Sequence, residues 1–310
     1  MSVPAPRAWG LLLLTTLVAC PATMAGTAEA AASPATLSAS TQNAATSQKK
    51  PVRRKRHVRR APPGGVWASS AIVLDPATGK VLYEKNAERS VPIASLTKLM
   101  TALVFIEQKP DLDRMVEVTR TELSGGGHTQ LWNREMVSLR DLLHMSLMCS
   151  DNVATRVLAR ESGLAFDDYL ARMNQKSLEL GLAHTRFVEF TGLDERNVST
   201  ATDVARLLHA AASNDMVRDI TTTPSYEFRT KRRSHLIGNT NRLLYGRYEI
   251  LGGKTGFISE AGYCLATWIR TQGREMIAVV LGAPTNATRF ADVVRLIQRT
   301  TPPAIVAPRS

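Results

Sequence analysis

Cysteine is almost missing from this chain: 310 residues hold three, Cys20, Cys149 and Cys264. There is no C-x-x-C pair and no H-E-x-x-H among the six histidines, so the common zinc arrangements are excluded and no metal site is expected. Cys149 and Cys264 could bridge in an oxidising compartment, but two isolated cysteines read better as small buried free thiols. No internal repeat occurs. A long apolar run is also missing: Leu11 to Val18 is too brief to span a bilayer as an anchor. A phosphate-binding loop is excluded as well. Gly253-Lys254-Thr255 resembles the tail of G-x-x-x-x-G-K-S/T, but that pattern wants glycine where Tyr248 stands, and an extended segment follows instead of a helix.

What is present begins with charge. The formal net charge is +12, yet eight of those charges lie between Lys49 and Arg60, which leaves +4 for everything else. The basicity belongs to one short arm and gives no reason to expect a nucleic-acid-binding face on the folded part. Arg7, the apolar run Leu11 to Val18 and small residues ending at Thr23-Met24-Ala25 or Ala28-Glu29-Ala30 read as an export signal over residues 1–25. A periplasmic location is therefore expected. Leu17-Val18-Ala19-Cys20 offers an alternative, since it resembles the lipobox at which bacterial lipoproteins are cut and lipidated on cysteine. Residues 26–64 are Ala/Ser/Thr/Gln-rich and then basic, a composition that cannot bury enough apolar surface to offset chain entropy, and they read as a flexible linker. Residues 49–60 are either a solvated spacer or an arm drawn to an anionic envelope surface. Ordered sequence is expected over 65–301, with 302–310 as a tail.

Within that span the periodicity changes twice. Ala68 to Leu74 and Val81 to Tyr83, separated by the turn residues Asp75-Pro76-Ala77-Thr78-Gly79, predict a hairpin. After Pro92, the residues Leu96, Leu99, Met100, Leu103 and Val104 predict an amphipathic helix. Ser138 and Asp141 open another over Leu139 to Met148, and Val153 to Arg160 begins a third. Tyr248 to Leu251, Cys264 to Ile269 and Met276 to Leu281 return to strand, with Gln272-Gly273 as a turn, and Phe290 to Arg299 closes as a helix. Strands, then helices, then strands predict an α/β fold of the α+β kind: one sheet assembled from distant sequence around an inserted helical region.

Three short motifs carry chemistry. Ser95-Leu96-Thr97-Lys98 stands at the start of a predicted helix, where residues three apart share a face. The Lys98 amine can thus reach the Ser95 hydroxyl and act as its base, provided burial or a nearby cation favours the neutral amine. Alone the motif is weak, because Ser47-Gln48-Lys49-Lys50 matches it too, and a helix cap followed by a surface lysine is the ordinary explanation. Ser150-Asp151-Asn152 lies between two predicted helices. Its hydroxyl can relay a proton and its amide can bind a carbonyl, although a plain helix cap has the same composition. Lys254-Thr255-Gly256 ends a predicted strand. There Lys254 can dock a carboxylate and disfavour a charged Lys98, Thr255 adds a hydroxyl, and Gly256 allows close backbone approach. In this order, on helix, loop and strand, the three define the walls of one cleft.

The chain resembles the low-molecular-mass penicillin-binding proteins, the serine D-alanyl-D-alanine peptidases, and within them the D-alanyl-D-alanine endopeptidase (penicillin-binding protein 7) branch. The phrases that carry the likeness are Pro92-Ile93-Ala94-Ser95-Leu96-Thr97-Lys98-Leu99-Met100-Thr101-Ala102, Ser150-Asp151-Asn152 and Gly253-Lys254-Thr255-Gly256-Phe257-Ile258-Ser259-Glu260-Ala261-Gly262. Asp75-Pro76-x-Thr78-Gly79, Thr191-Gly192-Leu193-Asp194 and Ser199-Thr200-Ala201-x-Asp203 add to it, so the likeness covers roughly residues 66–300. It implies the β-lactamase/transpeptidase-like fold, acylation of Ser95 by the D-alanyl bond of peptidoglycan stem peptides, hydrolysis of the acyl-enzyme, and no cofactor. Lys98 would be the base, Ser150 and Asn152 the relay and amide-binding pair, and Lys254 with Thr255 the docking strand. The backbone N–H groups of Ser95 and Phe257 would form the oxyanion hole, with Gly256 between. β-Lactams would acylate Ser95 and stall. Two departures qualify the likeness. No amphipathic anchor follows the domain, which favours the endopeptidase branch, and no E-x-x-L-N segment is present to position a deacylating water as in class A β-lactamases. Carboxypeptidase action alone, a β-lactamase and a non-catalytic penicillin- or peptidoglycan-binding protein are the alternative readings.

Overall fold

The computed structural model describes residues 65–301. The export signal over 1–25, the lipobox at 17–20, the linker over 26–64 with its basic arm, and the tail over 302–310 lie outside the described residues.

Strands gather at the two ends of the described chain and helices in its middle. The first hairpin is β1 (Ser70–Leu74) and β2 (Val81–Lys85), followed by the short β3 (Val91–Pro92). Then come α1 (Thr97–Glu107), β4 (Met115–Glu117), α2 (Arg120–Leu123), β5 (Met136–Ser138), α3 (Leu139–His144), α4 (Asn152–Glu161) and α5 (Phe166–Glu179). After β6 (Val198–Ser199) follow α6 (Ala201–Ala212), α7 (Asp215–Thr222) and the hairpin β7 (Ser225–Arg229) and β8 (Ser234–Gly238). The long strands β9 (Glu249–Ile258), β10 (Gly262–Thr271) and β11 (Arg274–Ala283) precede α8 (Asn286–Thr300). The main sheet runs β2-β1-β11-β10-β9, and its ladders are antiparallel. It is the α+β architecture that the sequence predicts.

Both faces of this sheet are covered, and the strand sequences show why. Alternate residues point to opposite faces. On β1 and β11, Ile72, Ile277, Val279 and Leu281 join the larger core, while Ala71, Val73, Ala278 and Val280 join a second. The second core is closed by Phe290, Val293, Leu296 and Ile297 of α8. The larger is closed by α6 and, beyond it, by α1, α3, α4 and α5.

One expectation needs correcting. The helix after Ser95 reads as amphipathic, with a wet side, but Thr97 to Phe105 are buried without interruption. The cause is position: α1 packs against α4, α5 and α6 at once. Its polar residues therefore need internal partners. Tyr169 Oη donates to Thr101 O (2.6 Å) and Thr101 Oγ1 to Phe190 O (2.6 Å), while Lys98 reaches the site described next.

Candidate active site

Pro92 ends β3, which pairs with β6 and brings residue 93 beside Asn197; the Ile93 N–H donates to Asn197 O (3.1 Å). Ala94 then takes φ +49°, a left-handed conformation that a residue with a Cβ adopts at a cost. This turns the chain so that Ser95 sits in a single 3₁₀ turn, Ala94–Leu96, ahead of α1 instead of inside it. Two glycines let backbone close on this turn. At Gly192 (φ +83°) a Cβ would stand 1.9 Å from Ala94 O. At Gly256 it would stand 2.9 Å from Ile93 O and 3.1 Å from Ser95 N. Neither position tolerates a side chain without moving the serine.

Lys98 is fully buried, and its Nζ makes three contacts: Ser95 Oγ (3.1 Å), Asn152 Oδ1 (2.7 Å) and the Thr191 carbonyl (2.6 Å). Burial pulls its pKa from the usual 10.5 down to about 7, against the opposing pull of Glu189 and Asp151. Near neutral pH the uncharged amine is therefore accessible here, as it is not for an exposed lysine.

The second motif follows a one-turn π-helix, Met145–Cys149, that ends in Ser150 at φ +64° and ψ +33°. Such π turns and left-handed residues gather at functional sites because only the surrounding packing sustains them. Ser150 Oγ is buried and finds no hydrogen-bond partner among the described residues, and it is not bonded to Lys98. Asp151 caps α4, accepting from the Ala154 N–H (2.9 Å), and also accepts from Thr129 Oγ1 (2.7 Å). Burial raises its pKa, a shift that these hydrogen bonds oppose. Asn152 spans the cleft, its Oδ1 on Lys98 and its Nδ2 donating to Gly126 O (3.0 Å). The Gly125-Gly126-Gly127 run therefore sits at the site.

The third motif lies in the second half of β9, not at the end of a short strand, because β9 runs on to Ile258. Lys254 is only 1% exposed, and its Nζ donates to the Thr255 carbonyl (3.1 Å). Burial, then the nearby Lys98 ammonium, push its pKa well below the usual value. Two buried amines so placed do not both hold a proton cheaply. Thr255 Oγ1 shares a hydrogen bond with Thr240 Oγ1 (2.7 Å), and the Thr240 N–H donates to Met148 O (3.0 Å), tying the strand to the π turn. Phe257 is half-exposed and stacks on Tyr263 (centroids 4.2 Å apart).

Ser95, Lys98 and Asn152 are thus in direct contact, with Gly256 against the serine and Lys254 behind them; Ser150 is adjacent but unbonded. Sequence reasoning missed three supports. Glu189 accepts from the Thr191 N–H and Oγ1 (both 2.6 Å) and from the Gly192 N–H, so its carboxylate shapes the loop whose carbonyl holds Lys98. Asn197 donates to Glu189 Oε1 (2.8 Å) and to Thr97 Oγ1 (3.2 Å), joining that loop to the serine turn. Arg289 of α8, also buried, donates through Nη1 to Gly256 O (3.0 Å). Arg289 and the Asn197–Thr97 bond act across long sequence separation, and Glu189 acts on backbone groups two and three residues on, so none shows as a motif. The phrase Thr191-Gly192 was the nearest clue.

A hydroxyl on a strained turn, beside a buried amine whose charged form burial disfavours, defines a serine–lysine acyl-transfer enzyme. A family profile described as D-alanyl-D-alanine carboxypeptidase matches residues 56–285. A D-alanyl-D-alanine endopeptidase of Pseudomonas aeruginosa is 38% identical over 234 residues, covering 74% of this chain and 76% of that protein. The Streptomyces K15 DD-transpeptidase superposes with a TM-score of 0.72 at 27% identity, covering 76% of this chain and 97% of that one. Penicillin-binding protein D2 of Listeria monocytogenes, in its cefotaxime-bound form, gives 0.68 at 31% identity, covering 76% and 97%. The chain belongs to the D-alanyl-D-alanine carboxypeptidase family of serine peptidases.

Proposed function

We propose that this protein hydrolyses D-alanyl peptide bonds in peptidoglycan through an acyl-enzyme on Ser95, cutting cross-links between stem peptides as an endopeptidase. The observation that carries the mechanism is the contact between the Ser95 hydroxyl and a Lys98 amine held near neutrality. The uncharged amine takes the hydroxyl proton as the oxygen attacks the D-alanyl carbonyl. The backbone N–H groups of Ser95 and Phe257 receive the oxyanion, a reading supported by the close approach of Gly256 to the Ser95 N–H. Asn152 binds the substrate amide while fixing Lys98. The unpartnered Ser150 hydroxyl passes the proton to the leaving amine. Thr255, with Lys254 behind it, docks the donor's far end along β9, and water then releases the acyl group. β-Lactams enter the same path and stall as covalent inhibitors.

Endopeptidase action is favoured by the 38% identity to a protein of that name. The test is digestion of purified cross-linked muropeptides: conversion of dimers to monomers supports it, while trimming of terminal D-alanine alone assigns a carboxypeptidase. The export signal, the linker over 26–64 and the catalytic span 65–301 complete the reading. Substrate of this kind lies outside the cytoplasm, so the enzyme works in the periplasm, free or held through a lipidated Cys20. The arm at 49–60 approaches anionic envelope surfaces. The intact mass of the mature protein decides between secretion and lipidation.

A further inference from the structure

Beside the cleft stands a ridge that the reaction does not use. The turn between β7 and β8 reads Arg229-Thr230-Lys231-Arg232-Arg233, and its four cations are exposed. Arg134 is exposed on the neighbouring turn before β5. None of the five has a carboxylate partner among the described residues, whereas Arg114, Arg160 and Arg172 are each held by glutamate. Glu227, the exposed carboxylate of this hairpin, stands in mid-strand and pairs with none of them. One of them lies over Trp132, which is 51% exposed, with the Arg232 guanidinium 4.7 Å from the ring centroid.

This exposed surface is held by a buried polar network. Glu135 accepts from Thr230 Oγ1 (2.7 Å) and from the Trp132 N–H (3.0 Å) and pairs with His235 Nε2 (2.8 Å), both side chains being fully buried. Arg233 donates to Gln130 O (2.7 Å) and Gln130 to Leu236 O (3.2 Å). Such a network fixes two turns in one arrangement and so presents Trp132 and the cations as a preorganised face. The same two segments continue into the cleft. Thr129 bonds Asp151, and β8 leads to Thr240, which bonds Thr255. At about 3.3 Å per residue β8 alone spans roughly 17 Å, so the hairpin tip stands at least one strand length from Thr240, outside the cleft but on the segment that leads into it.

We infer that this ridge is a docking surface for the carboxylate-bearing peptide stem of the cross-linked substrate, with Trp132 as its apolar anchor and the hairpin cations as its charge complement. The inference rests on the peptidase reading above and adds how the longer substrate is told from a terminal D-alanine. Two free carboxylates on a stem meet unpaired guanidinium and ammonium groups, while its side-chain methylenes cover the indole.

The test is binding of a fluorescently labelled, cross-linked muropeptide dimer to the Ser95→Ala protein, which cannot consume it. The measurement is repeated with Lys231→Ser/Arg232→Ser/Arg233→Ser and, separately, with Trp132→Ala, which keeps the backbone N–H to Glu135. Each set should raise Kd at least fivefold, and raised salt should weaken only the protein with its cations intact. With Ser95 present, acylation by a fluorescent penicillin should stay within twofold of the parent. A solvated basic face predicts unchanged Kd and overturns the inference, as does equal binding of a dimer whose free carboxylates are amidated. A proportionate fall in penicillin acylation would assign the ridge to fold support and overturn it too. If the parent enzyme binds the dimer but never cleaves it, the endopeptidase reading fails and the docking surface stands.

Discussion

The two sides of the main sheet have been built to different ends. Behind it, β1, β10, β11 and α8 enclose apolar side chains that include Leu265, Val280, Val293 and Leu296, each fully buried. In front, where β9 meets the 3₁₀ turn that carries Ser95, lie two buried lysines, a buried hydroxyl without a partner among the described residues, and left-handed residues at Ala94 and Ser150. Each of these front-side features opposes folding by a cost on the order of 1–3 kcal/mol, whereas each large apolar side chain on the other side contributes about 1.5–3 kcal/mol. The apolar cores on the two faces of the sheet together supply the stability that holds the site in an arrangement the chain would not adopt locally.

That contrast can be broken most severely at Lys98. Lys98→Met should reduce Ser95 acylation by on the order of 10³-fold or more, read with a fluorescent penicillin. The same variant should be more stable, by about 1–3 kcal/mol at neutral pH, because the cost of a buried amine is removed while acceptors at Asn152 and Thr191 lose a donor. The sign follows from the depressed pKa. Between about 7 and 10.5 the unfolded chain binds more protons at this lysine, so the lysine's penalty is full below pH 7 and fades as pH rises towards 10.5. The stabilisation from methionine should fade in the same window, as measured by urea unfolding across pH. A stability gain that grew with pH would contradict this.

A paired substitution sharpens the comparison. Gly192→Ala puts a methyl 1.9 Å from Ala94 O in a left-handed residue, and should cost several kcal/mol and most of the acylation rate. Gly273→Ala, in the β10–β11 turn, is also left-handed (φ +71°) but meets nothing within 4 Å. It should cost about 1 kcal/mol and leave acylation unchanged. Thermal unfolding and penicillin labelling read both; equal losses would erase the distinction between the two sides.

A graded effect on the site is expected at Glu189. Glu189→Gln removes the foremost charge raising the Lys98 pKa and replaces one acceptor oxygen with a donor. The acylation rate at pH 8 should fall about tenfold as the Thr191 carbonyl loses its place, and the acidic limb of the pH profile should move to lower pH. Asp151, Cys149, Arg156 and Lys254 also act on Lys98 and are unchanged in the variant. A uniform fall in rate with no shift of the limb would mean that Glu189 serves the fold alone.

Much of this site is legible in the sequence. Ser95, Lys98, Asn152, Lys254 and Gly256 converge because three motifs of fixed spacing lie on elements whose periodicity is plain. The β1–β2 hairpin, the Gln272-Gly273 turn and α8 were equally readable. What stayed hidden depends on tertiary context. The full burial of α1 is set by three neighbouring helices, and its own sequence could not report it. The β7–β8 hairpin is masked because β8 turns its polar His235 inward, onto the buried Glu135 100 residues away in sequence, and leaves its apolar Leu236 exposed. Arg289 bonds a carbonyl 33 residues away, Asn197 joins Glu189 to Thr97, and Glu189 bonds the N–H groups of its own turn; none of these side chains follows a pattern of residue types that the chain displays.

The account rests on an uncharged Lys98 amine drawing the proton from Ser95. The most direct measurement is the rate of penicillin acylation against pH, with the adduct located by peptide mass. It should rise through an apparent pKa near 7 and place the adduct on Ser95, whereas a flat profile between pH 5 and 9, or an adduct persisting in Ser95→Ala, would contradict it.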